Sequence, residues 1–370
     1  MRIVFICGSL EYGKDGVGDY TRRLAGELIR KGNQVQIVSL FDPFVKEVSI
    51  STQTIDNADV HALRISSQTK NTERISFLKK HLFDSPDVIS LQYVPYSFHS
   101  KGIPLGLAGL LEKLGKCTKW HVMVHETYVK RNRVNLKNII THFGQILSLK
   151  KIDFDLKPFW HTSSLYYKKM LAQINIQAEI LGLFGNIAIE EGNNTEDLVP
   201  FKKNTDEKVM VYFGSAPLIQ HHKVFSEKLK SFVLNDAQNL IILICGRLGK
   251  NGSLFKNNLN VNSERIRIID LGEKTANEIS AIFKIVDFGV SRVSLRLIGK
   301  SGTAISMLEH GLPLWVPIEE QEDEIYDNFR SELCYAKLED LVKFGKKAPF
   351  LNRLPYIANQ MINDIKLNQE

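Results

Sequence analysis

No stretch of the chain approaches the ~18 consecutive apolar residues that a membrane-spanning helix requires, so a helical anchor is not expected. Cysteine is scarce. Cys7, Cys117, Cys245 and Cys334 stand far apart, with neither a zinc-ligand spacing nor a disulfide framework, and a reducing cytoplasm is the expected setting. The adjacent His221 and His222 lack the further ligands a shared ion would need, so no metal is expected. The G-x-G-x-x-G dinucleotide fingerprint is missing, because Leu10 and an insertion follow Gly8. Gly299-Lys300-Ser301 ends like a Walker loop, but that motif needs a glycine where Ser294 stands. No aromatic–basic stripe or nucleic-acid module occurs, and nucleic acid is not an expected partner. Internal repeats and low-complexity tracts are absent too.

What is present is a chain of 370 residues, 44% hydrophobic and 24% charged, the balance of a globular protein with room for two domains. The net charge of +7 is uneven: residues 1–189 hold 25 Lys+Arg against 16 Asp+Glu, and the remainder 23 against 25. The excess in the first half suits an anionic partner such as a membrane surface; the alternative is a solvated basic face. Within it, Lys130, Arg131, Arg133 and Lys137 form the densest cluster, and the apolar segment 103–111 lies upstream. Together they could dock on an anionic leaflet, although the apolar segment by itself reads more readily as a core helix.

The run 2–7 ends in Gly8-Ser9 without a cleavage-like region and reads as a first buried strand rather than a leader. A glycine-rich loop through Gly18 follows, then a helix starting near Asp19 or Tyr20, closed by Gly32-Asn33, and a strand over 34–40. Further strands are expected over 60–65, 87–93, 120–127 and 159–163, with a helix over 165–172. The polar, aperiodic segment 190–208 reads as an interdomain linker. A second series of strands follows, over 209–213, 240–245, 266–271, 287–291 and 314–316, and the chain after Gly345 reads as a helical tail over 346–370. Strands alternating with helices and ending in polar tips predict an α/β fold, with ligands at the tips.

One stretch concentrates the signals. Gly299, Lys300, Ser301, Gly302 and Thr303 make a small loop with one cation, feeding a helix that Gly311 and Pro313 terminate. A glycine loop at a helix N-terminus offers free N–H groups and the positive dipole end to a phosphate; the alternative is an ordinary cap by Ser301 or Thr303. Arg247, beside Gly246 at a strand tip, is a second phosphate candidate.

Several short motifs resemble the GT-B glycosyltransferases, most closely the retaining family-4 type. They are Gly16-Val17-Gly18-Asp19-Tyr20, the strand ending in His125-Glu126, Asp287-Phe288-Gly289-Val290-Ser291, and Gly311-Leu312-Pro313-Leu314-Trp315-Val316. The resemblance implies two Rossmann-like doubly wound domains facing a cleft: an acceptor-side domain over 1–189 and a nucleotide-sugar domain over 209–345. It implies a hexosyltransferase-type enzyme in cell-surface polysaccharide synthesis, moving sugar from a nucleotide-diphosphate sugar to a glycan or lipid-linked acceptor. The enzyme would be cytoplasmic and peripheral at the inner face of the membrane, with no cofactor beyond its donor. His125 and Glu126 take the catalytic positions. Gly16, Gly18, Ser215, Lys223, Arg247, the loop Gly299–Thr303 and Glu309 take the donor positions.

Two departures stand out. The family's paired glutamates, spaced E-x7-E, fall on Ile298 and Ser306, with Glu309 the nearest acid on that helix face. An arginine usual after Phe213-Gly214 is replaced by Ser215. They leave open the alternative of a non-catalytic partner subunit that binds sugar nucleotide or glycan. An epimerase on the same fold is the more remote alternative.

Overall fold

The computed structural model describes residues 1–114, 119–131, 135–190, 207–236, 238–319 and 329–368. It divides into two units, Met1–Gly182 with Leu354–Glu370, and Leu183–Arg353. The first boundary falls upstream of the expected position 189. Most of the expected linker, residues 191–206, lies outside the described residues. The expected separate tail is corrected: its helix belongs to the first unit, because Ile357, Ala358, Met361 and Ile365 are buried there.

The first unit runs β1 (Arg2–Cys7), α1 (Gly16–Arg30), β2 (Gln34–Asp42), β3 (Ser49–Ile55), β4 (Ala58–Ser66), α2 (Asn71–His81) and β5 (Val88–Tyr93). It continues with α3 (Pro95–Phe98), α4 (Leu107–Glu112), β6 (Lys119–Val124), α5 (Leu136–Leu156), β7 (Phe159–Thr162), α6 (Leu165–Ala172) and β8 (Glu179–Ile180). The strands order as β3-β4-β2-β1-β5-β6-β7-β8, parallel except for the β3–β4 hairpin. That hairpin turns at Asp56 and Asn57, both with positive φ, the two-residue turn whose twist matches its strands. Residues 3–7 of β1 are fully buried, as a central parallel strand covered on both faces requires.

The second unit runs β9 (Glu207–Phe213), α7 (Ile219–Asn235), β10 (Asn239–Cys245), α8 (Gly252–Leu259), β11 (Ile266–Gly272), α9 (Ala276–Ile285) and β12 (Phe288–Val290). A 3-10 turn (Leu295–Lys300), α10 (Gly302–Glu309), β13 (Leu314–Trp315), β14 (Cys334–Tyr335) and α11 (Leu338–Phe344) complete it. Its six parallel strands order as β11-β10-β9-β12-β13-β14. The last helix, α12 (Leu354–Leu367), returns to the first unit.

Two local expectations are corrected. α1 starts at Gly16 rather than near Asp19, because the Asp15 carboxylate caps it, accepting from Val17 N and Gly18 N. The flexible loop expected at Gly299–Gly302 is instead a 3-10 turn leading directly into α10, with Gly299 buried. The apolar segment 103–111 agrees with the core-helix reading it suggested by itself: Leu107, Ala108, Leu110 and Leu111 are buried. No helix among the described residues is long and apolar enough to cross a membrane.

Candidate functional site

Ligands of open parallel sheets settle beyond the carboxyl ends of the strands, where the strand order reverses. In the second unit that reversal lies between β9 and β12. β9 runs into Gly214-Ser215. Gly214 has φ +104°, and a Cβ there would stand 3.0 Å from Thr303 Cγ2, so this tip abuts the start of α10. Gly246, with φ +98°, turns beside it; a Cβ would lie 3.4 Å from the Gly214 nitrogen. Both turns occupy the left-handed region, which glycine enters without strain. From beyond β12, Arg292 Nη1 donates to Ser215 Oγ at 2.6 Å, while its Nε is buried without an acceptor.

Two strand tips, one guanidinium and one helix N-terminus therefore meet. At that N-terminus Ser301 Oγ accepts from Ala304 N at 3.3 Å and lies 3.1 Å from Thr303 Oγ1. The cap is thus real, but it leaves the Gly302 and Thr303 N–H groups without an acceptor among the described residues. The arrangement can hold an anion with two backbone donors, the helix dipole and the guanidinium.

The remaining second-unit candidates divide. Lys300 ends the 3-10 turn immediately before α10. Arg247 sits at the β10 tip, with Nε 3.2 Å from Glu273. Lys223 is exposed on α7 and pairs with Glu227; no contact among the described residues brings it to the glycine tips. Glu309 does not replace the absent acids. It is 2% exposed, and its carboxylate accepts from Gly185 N at 2.9 Å and Arg353 N at 3.0 Å. Ile298 is fully buried, and Ser306 Oγ donates to Gly302 O and accepts from Ile187 N.

In the first unit the strand order reverses between β1 and β5. The loop after β1 is braced rather than loose. Asp42 accepts from Leu10 N, Ser9 Oγ and Arg64 Nε, Arg64 also reaches Glu11 at 2.6 Å, and Arg22 Nη1 donates to Leu10 O. Burial alone would raise the Asp42 carboxyl, but Arg64 and the backbone donors hold it below its ordinary value. A Cβ at Gly18 would lie 2.4 Å from Ser9 O, so this glycine serves the packing of α1 against the loop. Its N–H is already given to Asp15, as is that of Val17, so Gly18 offers no free donor to a phosphate. Gly16 opens the helix.

His125 follows β6, its N–H donating to Tyr93 O, and Glu126 beside it is exposed. The His125 ring stands edge-on to Tyr20 and begins a buried chain of hydrogen bonds across the sheet. Its Nε2 lies 2.9 Å from Gln92 Oε1, and Gln92 Nε2 donates to Ser90 Oγ at 2.7 Å. Ser90 Oγ lies 2.8 Å from His121 Nδ1, His121 Nε2 3.0 Å from His161 Nδ1, and His161 Nε2 3.2 Å from Asp364 Oδ2 on α12.

A carboxylate can only accept, so His161 presents Nε2–H, and each link then donates toward Asp364. His125 is left with Nε2–H toward Gln92 and Nδ1 as an acceptor. Burial pushes His125 down to about 3 and His161 to about 4, Asp364 opposing the latter. His121 is pushed well below its ordinary value, by burial first and the neighbouring rings second.

Sequence reasoning missed Arg292 and Asp364. The run Ser291-Arg292-Val293-Ser294-Leu295-Arg296, directly after an aspartate-led strand, carried a signal for the first. Nothing local signals the second, which lies 203 positions from His161.

No protein-family model matches the chain, and no curated protein matches it. Solved structures do. UDP-GlcNAc 2-epimerase from Methanocaldococcus jannaschii is similar at 13% identity and TM-score 0.56, covering 99% of this chain and 100% of that one. The catalytic domain of starch synthase IV from Arabidopsis thaliana, bound to ADP and acarbose, is similar at 11% identity and TM-score 0.51, covering 99% and 92%. A glycosyltransferase from Rickettsia africae is similar at 15% identity and TM-score 0.50, covering 85% and 78%. At such identities the likeness speaks of fold. The chain has the GT-B fold, two parallel-sheet α/β units, as these transferases and the epimerase do.

Proposed function

We propose that the chain is a glycosyltransferase that moves a sugar from a nucleotide-diphosphate sugar to a glycan or lipid-linked acceptor, with retention, in cell-surface polysaccharide synthesis. The observation that carries the reading is the meeting of Gly214, Gly246, Arg292 and the α10 N-terminus at the strand-order reversal of the second sheet. Those donors suit a diphosphate. Arg292, reaching Ser215 from another loop, supplies a guanidinium where the sequence lacks one. His125, neutral and with Nδ1 accepting, would take a hydrogen bond from a hydroxyl of the acceptor. In the transfer itself the acceptor oxygen bonds the anomeric carbon, the bond to the phosphate oxygen breaks, and the acceptor proton passes to the departing phosphate. The reading calls for no metal or cofactor beyond the donor.

A panel of nucleotide sugars tests it by thermal shift and product analysis, since a ligand of the folded state raises its melting temperature. Arg292→Ala removes a charge-assisted contact worth ~1.5–3 kcal/mol, or about ten- to a hundredfold in affinity. If no nucleotide sugar stabilises the protein, or Arg292→Ala binds like wild type, the reading falls.

A second reading rests on Ile298 and Ser306: with no acid at either position and Glu309 held by backbone amides, donor turnover could be absent or of another kind. A non-catalytic sugar-nucleotide-binding subunit would bind donor without consuming it. A 2-epimerase would convert it with no acceptor present.

A further inference from the structure

Helix α5 is inside-out. Its buried face includes Thr141, Gln145 and Ser148 beside Leu149, Ile152 and Leu156, while Leu136, Ile140, Phe143, Leu147 and Phe154 are 52–80% exposed. At 100° per residue the five exposed side chains fall in a sector of about 60°, running about 27 Å along the helix. A stripe this long is not scattered surface hydrophobicity; it marks an interaction face.

The charges around it select the occupant. Lys150 and Lys151 flank the stripe, and Lys137 and Lys157 are exposed at its ends. Arg131 lies over the Phe143 ring at 5.6 Å, its charge at the edge of the apolar surface. Of the acids of α5, Asp153 accepts from the Trp160 indole, and the largely buried Asp155 pairs with the exposed Lys151 and offsets its charge, which leaves Lys150 as the main flanking cation. The exposed positions of α5 include no acid. Two copies of this face would oppose lysine to lysine. An anionic leaflet instead takes the apolar side chains between its headgroups and pairs with the cations.

We propose that α5 is a membrane-docking helix, lying in the plane of an anionic lipid surface with Leu136, Ile140, Phe143, Leu147 and Phe154 inserted. The proposal is independent of which sugar reaction, if any, the chain performs. Residues 132–134 of the basic cluster lie outside the described residues and are not needed for it.

Co-sedimentation of the full chain with vesicles tests it, comparing phosphatidylcholine alone with phosphatidylcholine containing about a quarter phosphatidylglycerol. Wild type is expected to bind the anionic vesicles at least about tenfold more tightly, with the advantage lost in high salt. Leu147→Asp with Phe154→Asp should lower binding by about a hundredfold at unchanged melting temperature, since both side chains are exposed. Lys150→Glu, which leaves the apolar stripe intact, should lower it by about tenfold. The proposal is overturned if wild type ignores anionic vesicles, binds both compositions equally, or is unaffected by the double substitution. A concentration-dependent dimer that the double substitution dissolves, without lipid binding, also overturns it and makes the face a self-interface.

Discussion

The histidine chain makes the first unit acid-labile, by an amount the structure sets. His125 and His161 are neutral in the fold, held down to about 3 and about 4 by burial, whereas an unfolded histidine protonates near 6.5. Folding stability is therefore complete above pH ~6.5 and declines below it, as the unfolded chain binds protons that the folded chain refuses; the decline ends near pH 3–4. At pH 5 each ring has cost about 2 kcal/mol, from ~1.36 kcal/mol per pH unit over the ~1.5 units below 6.5. The result is insensitive to the folded value, because any ring at or below about 4 is still neutral at pH 5. His125 and His161 together remove about 4 kcal/mol, a large part of an ordinary domain's stability, and His121 acts in the same direction.

The assay is urea unfolding at pH 8 and pH 5 in a Trp315→Phe background, in which Trp120 and Trp160 of the first unit give the fluorescence. His161→Gln should lower stability at pH 8 yet flatten the pH dependence by about 2 kcal/mol. A stability that changes by less than ~1 kcal/mol between the two pH values would refute the buried, neutral chain.

Other perturbations test the packing. Gly18→Ala places a Cβ 2.4 Å from Ser9 O and should cost ~1–3 kcal/mol in denaturant unfolding of the first unit. Glu309→Ala orphans the Gly185 and Arg353 amides and should destabilise the second unit by ~2–5 kcal/mol; unchanged stability would reopen a ligand role for Glu309. Gly311→Ala meets both a φ of +72° and a Cβ 1.9 Å from Ala348 O, and should abolish or severely reduce soluble expression of the full chain. Asp364→Lys offers a donor where His161 needs an acceptor. It should shift the ring-nitrogen signals of His161 and His121 in nitrogen-15 spectra, while unchanged spectra would sever Asp364 from the chain.

Much of the secondary structure was legible in the residues because burial leaves a short-range imprint. The run 2–7 is apolar on both faces, as a central parallel strand must be, and Gly311-Leu312-Pro313 punctuates the helix before it. The hairpin at Asp56-Asn57 was overlooked because its turn lacks the usual glycine. The sequence reading places no helix over 136–156, because the buried face of α5 mixes Thr141, Gln145 and Ser148 with its apolar residues and blurs the periodic signal. The apolar segment 103–111, by contrast, reads by itself as core, and Leu107, Ala108, Leu110 and Leu111 are buried.

By itself the sequence determined an α/β chain with two series of strands, glycine tips and a helix whose N-terminus suits phosphate, since those features depend on neighbours along the backbone. Only the tertiary structure decided which side chains share a site. It brought Arg292 to Ser215 across 77 positions, committed Glu309 to backbone amides, and tied Asp364 to His161 across 203. The physical reason is that hydrogen-bond direction and desolvation belong to the packed surroundings of a group, and those surroundings come from chain segments remote in sequence.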